Sequence, residues 1–207
     1  MPKSKKRKKK ESTSRPKDWS GSVQGTDRKR GDRRILIAVL VLLLGGGGYW
    51  IWSSIDAQGK FDALAAAGQG RLDGVVTDPN NGGGHVSGAL GYDSDFPTSG
   101  AHRPVWTTAG VYDDPQPKAK LVHALEHGNI VIYFDQPTAA VRQQIDDWAG
   151  LYTGQWNGVV VTPFRGLGAT VVLTAWRKTL RLESWDAAVA AAFIDAYRGR
   201  GPENPVR

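Results

Sequence analysis

Histidine is the side chain of this sequence with the clearest capacity for chemistry. The four histidines all lie between residues 85 and 127 of the 207-residue chain, and they are His85, His102, His123 and His127. Imidazole is the commonest metal-ligating side chain, and several imidazoles together suit Zn²⁺ or Cu²⁺. Cysteine is absent and Met1 is the only methionine, which excludes disulfides and a soft sulfur site for Cu⁺. The pattern predicts a metal site that is formed by these four histidines and holds Zn or Cu(II).

The spacing of His123 and His127 sets a condition on the backbone. On a helix, residues four apart lie on one face, so both imidazoles can chelate a single ion. On a strand about 13 Å would separate their backbones, which is too far for chelation. Chelation therefore needs the helical case, in which Gly128, directly after His127, would end the helix. The alternative is that the histidines are structural, either as hydrogen-bonding groups at a helix end or packed beneath the apolar segment 130–134.

The segment from His123 to His127 also reads H-x-x-E-H, the string of inverted zinc peptidases, in which the glutamate acts as base on a zinc-bound water. In those enzymes the helix continues, whereas here Gly128 and an apolar segment follow at once. We therefore predict no catalytic residue and treat Glu126 as an accessory metal ligand. The glycines at 82–84 lack the Lys-Ser/Thr pair of a phosphate loop, so no cofactor-binding residue is predicted either.

Regular elements are predicted mainly after residue 120. Four short apolar segments have the length and composition of strands, at 130–134, 158–162, 169–176 and 179–182. Helices are predicted to begin at Thr138, the expected N-cap, and at Ser184. Residues 71–117 are rich in glycine, proline and asparagine, which favours turns. We therefore predict an α+β domain with a small sheet and two main helices.

A hydrophobic segment precedes this domain. Residues 35–52 carry no charge and begin with ten aliphatic residues, followed by four glycines and a group of aromatic residues. As a helix they would span about 27 Å, close to the roughly 30 Å of a bilayer core. We predict a single-pass transmembrane helix here. A cleaved signal peptide is the alternative, but its charged n-region would be unusually long and no small-x-small cleavage site is well placed after it.

The charge of the chain is divided unevenly around this segment. Residues 1–34 hold 14 Lys and Arg against four Asp and Glu, a net charge of +10, whereas the remaining residues hold 13 against 16, a net charge of −3. A basic flank on the N-terminal side predicts a cytoplasmic N-terminus at the plasma membrane and an extracytoplasmic C-terminal domain. Because the folded part is mildly acidic, nucleic acid is not expected as a partner.

The predicted organisation has five parts. Residues 1–34 form a disordered basic tail, 35–52 the membrane anchor, 53–70 a juxtamembrane stalk, 71–203 the extracytoplasmic domain and 204–207 a short C-terminal tail. The predicted partners are the lipid bilayer, a metal ion and a protein of the cell envelope.

Three separated motifs resemble a bacterial family of membrane-anchored proteins with a domain of unknown function. These motifs are FPTSGAHRPVW (96–106), GVYDDPQP (110–117) and LVHALEHGNIVIYFD (121–135). The segments VVVTPF (159–164), LTAW (173–176) and FIDAYRGRGPE (193–203) resemble the C-terminal part of the same family. The resemblance implies membrane attachment and an extracytoplasmic domain, but no settled activity. It also places His102, His123, Glu126 and His127 inside signature motifs.

Three functions are compatible with these observations. The first is a metal-binding or metal-handling domain without enzymatic activity, favoured by the confined set of histidines. The second is an interaction module of the envelope in which the histidines are structural. The third is a metal-dependent hydrolase that uses the H-x-x-E-H string.

Overall fold

A computed structural model describes residues 27–207 of the chain, with the side chains of 27–34 and 42–52 left out of the description. Most of the basic tail predicted at 1–34 therefore lies outside the described residues. The chain divides into two compact units after Gly48, and the second unit is Tyr49–Arg207. The cytoplasmic N-terminus, the extracytoplasmic C-terminal domain and the partners named above remain predictions.

The described residues contain four α-helices and six strands. The helices are α1 (Asp27–Gly68), α2 (Lys118–Glu126), α3 (Ala139–Leu151) and α4 (Ala187–Tyr197), and a short 3₁₀ turn covers Gln69–Arg71. The strands are β1 (Val75–Thr77), β2 (Gly110–Val111), β3 (Ile130–Phe134), β4 (Val159–Pro163), β5 (Val171–Ala175) and β6 (Lys178–Leu182). They form one sheet in the order β1-β6-β5-β3-β4-β2.

The sheet is mixed, and β3 lies near its centre. Strand β3 pairs in parallel with β4 and antiparallel with β5, while β2 extends the parallel side and β6 and β1 extend the antiparallel side. All five residues of β3 are buried, as expected for an apolar strand with both faces covered. The sheet therefore has two apolar faces, each of which needs a layer of helices or loops.

Alternate residues of β3 divide the core into two clusters. Ile130 and Ile132 point to one side, where α3, α4 and the C-terminal part of α1 pack. On that side Phe61 of α1 is buried, with its ring 5.4 Å from that of Trp148. Val131 points to the other side, towards α2 and the turn-rich segments. Strand β3 thus connects the main core to the helix that carries two of the four histidines.

The structure is of the α+β class, but the detailed fold prediction is wrong in two respects. The sheet has six strands, because the turn-rich region supplies β1 and β2, whose three and two residues are too short for a periodic pattern. Besides α3 and α4, which correspond to the two predicted main helices, the structure has helices α1 and α2. The N-cap prediction is confirmed, since the Thr138 side chain accepts a hydrogen bond from the Val141 amide.

The predicted transmembrane helix is the second error. Within the part of the chain that the structure describes, none of the helices has both the length and the apolar character that a membrane crossing requires.

The N-terminus of α4 gives a prediction about acid stability. The Asp186 carboxylate accepts hydrogen bonds from the amides of Ala188 and Val189 and pairs with Arg71. The Val189 hydrogen bond and then the Arg71 guanidinium lower the pKa of Asp186 below its ordinary value of 3.8. Replacing Asp186 with alanine is expected to reduce the free energy of unfolding by about 1 kcal/mol at neutral pH.

The sign of the pH dependence follows from the lowered pKa. A carboxyl group with a lower pKa in the folded state stabilises the fold at neutral pH, and this contribution disappears as the pH falls from about 4 through that pKa. Urea unfolding between pH 7 and pH 2.5 should therefore show the difference between Asp186→Ala and wild type shrinking on the acid side. Asp186→Asn keeps a capping oxygen and serves as the control, with a smaller loss at neutral pH. A difference that stays constant with pH would contradict the argument.

Candidate metal centre

Helix α2 presents three polar side chains on one face. His123 and Glu126 lie within α2, and His127 is its C-cap, so the spacing places them one turn apart. Gly128 then has φ +93°, a conformation that L side chains rarely adopt, and a Cβ there would lie 2.7 Å from the Gly201 amide nitrogen. Of the two alternatives for this segment, the structure has the helical one, and the helix ends at Gly128.

Two backbone hydrogen bonds bring His85 and His102 together. The Val86 amide donates to the His102 carbonyl at 2.8 Å, and the His102 amide donates to the Gly84 carbonyl at 3.0 Å, which forms a parallel bridge between the two histidines. Gly83 allows this loop to approach α2, because a Cβ there would lie only 2.6 Å from Glu126 Oε1. His102 is fully buried, whereas His85 is exposed.

The side chains of these segments converge on a small volume. His85, His102, His123 and Glu126 each offer one ligand atom, and these atoms all lie within 4.8 Å of one another. His85 Nε2 is 3.3 Å from His123 Nε2, and His102 Nε2 is 3.0 Å from Glu126 Oε2. Ligands about 2.0–2.1 Å from a tetrahedral zinc ion are about 3.3 Å apart, so the His85–His123 separation matches a tetrahedral site and the His102–Glu126 separation is slightly shorter. We call this set the inner group.

Backbone carbonyls orient two of these imidazoles. His102 Nδ1 is 2.8 Å from the Gly100 carbonyl oxygen, and His123 Nδ1 is 2.7 Å from the Arg103 carbonyl oxygen. A carbonyl can only accept a hydrogen bond, so Nδ1 carries a proton in both rings, and in the neutral form of each ring Nε2 presents a lone pair to the inner group. This arrangement, in which the second ring nitrogen is held by a carbonyl, is the one that metal-ligating histidines use.

The result is a close approach of two electron-rich atoms. Although His102 Nε2 lies 3.0 Å from Glu126 Oε2, it has no hydrogen-bond partner of ordinary geometry among the described residues, and it is completely shielded from solvent. A lone pair facing a carboxylate at this distance is repulsive unless positive charge lies between them. A metal ion or an additional proton on His102 would supply that charge.

Burial keeps two of the histidines neutral near neutral pH. Burial lowers the pKa of His123 below its ordinary 6.5, the hydrogen bond to the Arg103 carbonyl opposes this shift, and the neighbouring histidines lower the pKa further. Burial also lowers the pKa of His127, against the opposing effect of the Glu203 carboxylate. Neutral imidazole is the form that binds metal ions, so little proton release would be needed at these two rings.

A second group of ligands lies beside the inner group. His127 Nε2 is 3.0 Å and His123 Nε2 is 3.8 Å from Glu203 Oε2, and the three ligand atoms lie within 4.8 Å of one another. We call His123, His127 and Glu203 the outer group. The His127 ring lies between Trp106 and Trp156, with centroid distances of 4.6 and 4.2 Å. The two tryptophans therefore fix the ring and exclude water from it.

The C-terminal segment carries Glu203 to this position. The Glu203 amide donates to the Glu126 carbonyl at 3.3 Å, and the Gly199 amide donates to the Gly128 carbonyl at 2.8 Å. Gly201 packs against the end of α2 so closely that a Cβ there would collide with the Glu126 carbonyl oxygen. The end of the chain is thus fastened to the C-terminal end of α2.

The structure divides the predicted four-histidine set. It brings His85, His102 and His123 together with Glu126, which was predicted as an accessory ligand, and it places His127 in the outer group. The sequence interpretation missed Glu203, which ends the segment FIDAYRGRGPE. The only indication in the sequence was that this segment resembles the C-terminal part of the family. No local spacing relates Glu203 to His127.

Comparison with known proteins gives a family but no activity. Residues 85–207, more than half of the chain, match a family described as "Protein of unknown function (DUF3105)". This range contains both ligand groups. It confirms the predicted resemblance at the level of a domain of unknown function. No curated protein and no solved structure matches the chain. The chain belongs to the DUF3105 family.

Proposed function

We propose that this protein binds a divalent transition metal ion, with zinc favoured, through His85, His102, His123 and Glu126. The observation that carries the proposal is the buried Nε2 atom of His102, which faces a carboxylate oxygen at 3.0 Å with no hydrogen bond of ordinary geometry among the described residues. Three imidazole nitrogens and one carboxylate oxygen form a donor set that zinc binds in tetrahedral geometry. Copper(II) prefers a tetragonal arrangement, in which neighbouring ligands are about 2.9 Å apart, so the 3.3 Å separation of His85 and His123 favours zinc.

The role of Glu126 bears on the kind of function. A carboxylate that ligates the ion is not available as the base on a metal-bound water, the role that the glutamate of the H-x-x-E-H string plays in peptidases. We therefore assign metal binding or metal handling rather than hydrolysis. Apart from the Met1 thioether, the imidazoles are the only soft or borderline side-chain donors of the sequence, since cysteine is absent.

Cobalt(II) is the spectroscopic test of this proposal, because it replaces zinc and reports coordination geometry. The full-length protein, purified without a histidine tag, is expected to bind one Co²⁺ with the intense visible bands of a tetrahedral site, and Zn²⁺ should displace it. His85→Ala is the matched variant, because His85 is exposed and its loss should remove a ligand without disturbing the core. A spectrum of octahedral cobalt, or a tetrahedral spectrum that His85→Ala leaves unchanged, would refute the assignment.

A further inference from the structure

The inner and outer groups share one atom. His123 Nε2 lies 3.3 Å from His85 Nε2 in the inner group and 3.8 Å from Glu203 Oε2 in the outer group. The Nδ1 atom of the same ring already donates to the Arg103 carbonyl at 2.7 Å. Because Nδ1 carries the proton, the ring has a single lone pair and can ligate one ion at a time. The two groups therefore cannot both be complete when two ions are present.

The two groups also differ in composition and exposure. The inner group has four ligands, one of which is the fully buried His102. The outer group has three ligands, and the side chain of Glu203 is 39% exposed. A fourth ligand from solvent or from a donor molecule is needed to complete tetrahedral zinc in the outer group. The outer group is thus the weaker of the two, and each group has one exposed ligand, Glu203 in the outer group and His85 in the inner group.

We infer that the two groups are successive positions of one metal ion, and this inference rests on the proposed function. The ion first binds His127, His123 and Glu203 together with a ligand from the donor. It keeps its bond to His123 Nε2 while the other outer ligands are replaced by those of the inner group. No electron is transferred in this exchange, and His123 neither gains nor loses a proton. Release follows the same steps in reverse, with Glu203 as the group that meets the acceptor.

The shared ligand explains why such a path lowers the barrier to exchange. An ion that leaves four protein ligands directly for water loses all its bonds to the protein before it is captured again. An ion that moves past His123 keeps one protein bond throughout, and the carboxylate of Glu203 replaces lost negative charge from Glu126. Carboxylates at a site entrance also raise the local concentration of cations.

The test separates exchange rate from affinity in the full-length protein. Zinc capture and zinc removal by a chromophoric chelator are followed by stopped flow for wild type and Glu203→Gln. Both rates are expected to fall by about tenfold or more, whereas the dissociation constant changes by less than about threefold and one zinc ion is bound. Asp113→Asn is the control, because its side chain is fully exposed and its removal changes the net charge by the same amount.

The outcomes distinguish this inference from the proposed function. If wild type binds no zinc, the proposed function itself fails. If it binds one zinc ion but Glu203→Gln exchanges as fast as wild type, the ion enters through the exposed His85 side and the path through Glu203 is refuted. Simultaneous tight binding of two zinc ions would refute the sharing of His123. A loss of affinity in Glu203→Gln as large as its loss of rate would make Glu203 a resident ligand instead.

Discussion

Replacing His123 with alanine is expected to abolish tight zinc binding. His123 Nε2 is the ligand atom common to both groups of the described residues, so its loss damages the inner and the outer group together. Loss of a hydrogen-bond partner of a ligand typically reduces metal affinity by about 10- to 100-fold, and loss of the ligand itself should exceed that range. Competition against a chelator of known affinity measures the change.

The control for this variant must separate binding from folding. His123 is buried and donates to the Arg103 carbonyl, so alanine also leaves an unpaired acceptor that costs about 1–3 kcal/mol. Urea unfolding of the metal-free proteins measures that cost. His85→Ala, which removes an exposed ligand, should weaken zinc binding while its metal-free stability stays close to that of wild type. Wild-type zinc affinity in a folded His123→Ala protein would rule out both ligand groups.

Glu126→Gln is expected to change the stability and the metal affinity in opposite directions. The amide nitrogen of glutamine can donate to the lone pair of His102 Nε2, which in wild type faces the Glu126 carboxylate at 3.0 Å. A repulsive contact is then replaced by a hydrogen bond, so the metal-free variant should be more stable by about 1 kcal/mol. Zinc affinity should fall by about 100-fold, because the site loses its anionic ligand.

The opposite changes in stability and in zinc affinity show whether a metal ion or a proton supplies the positive charge between His102 and Glu126. If His102 were protonated and formed an ion pair with Glu126, glutamine would remove the buried partner of a charge and destabilise the metal-free protein. Thermal unfolding in the presence of a chelator, and again with excess zinc, measures both effects. Asp113→Asn removes the same charge from an exposed position and should change neither quantity appreciably. A less stable metal-free Glu126→Gln protein would favour the ion pair.

Local sequence patterns gave the helical part of the site as one of two alternatives. The four-residue spacing of His123 and His127 and the glycine that follows are features of one helix and its end, and they depend little on the rest of the fold. The prediction of strands at 130–134 and 158–162 succeeded for the same reason, because a short apolar run is itself the signal.

The remaining parts of the site depend on contacts between distant segments. His85 and His102 are joined by one backbone bridge between two loops. Neither loop has a periodic pattern of hydrophobic residues. Glu203 reaches His127 because the chain after α4 folds back onto α2 through Gly199 and Gly201. Such approaches are decided by packing between loops, which no spacing within a window can reveal.

The transmembrane prediction failed for a different reason. It relied on the composition of residues 35–52, in which the aliphatic run is interrupted by Gly45–Gly48. The composition of one run does not determine where the helix that contains it begins and ends. The structure places the run within a 42-residue helix, and no described helix meets the requirement for a membrane crossing.

The bridge between His85 and His102 has a consequence for the way in which this protein resists unfolding. A metal ion held by His85, His102 and His123 would tie together three segments that are far apart along the chain, and so act as a cross-link. Cross-links of this kind restrict the unfolded chain much as disulfides do. Because the sequence contains no cysteine, this cross-link would withstand reducing agents and would instead open to chelators.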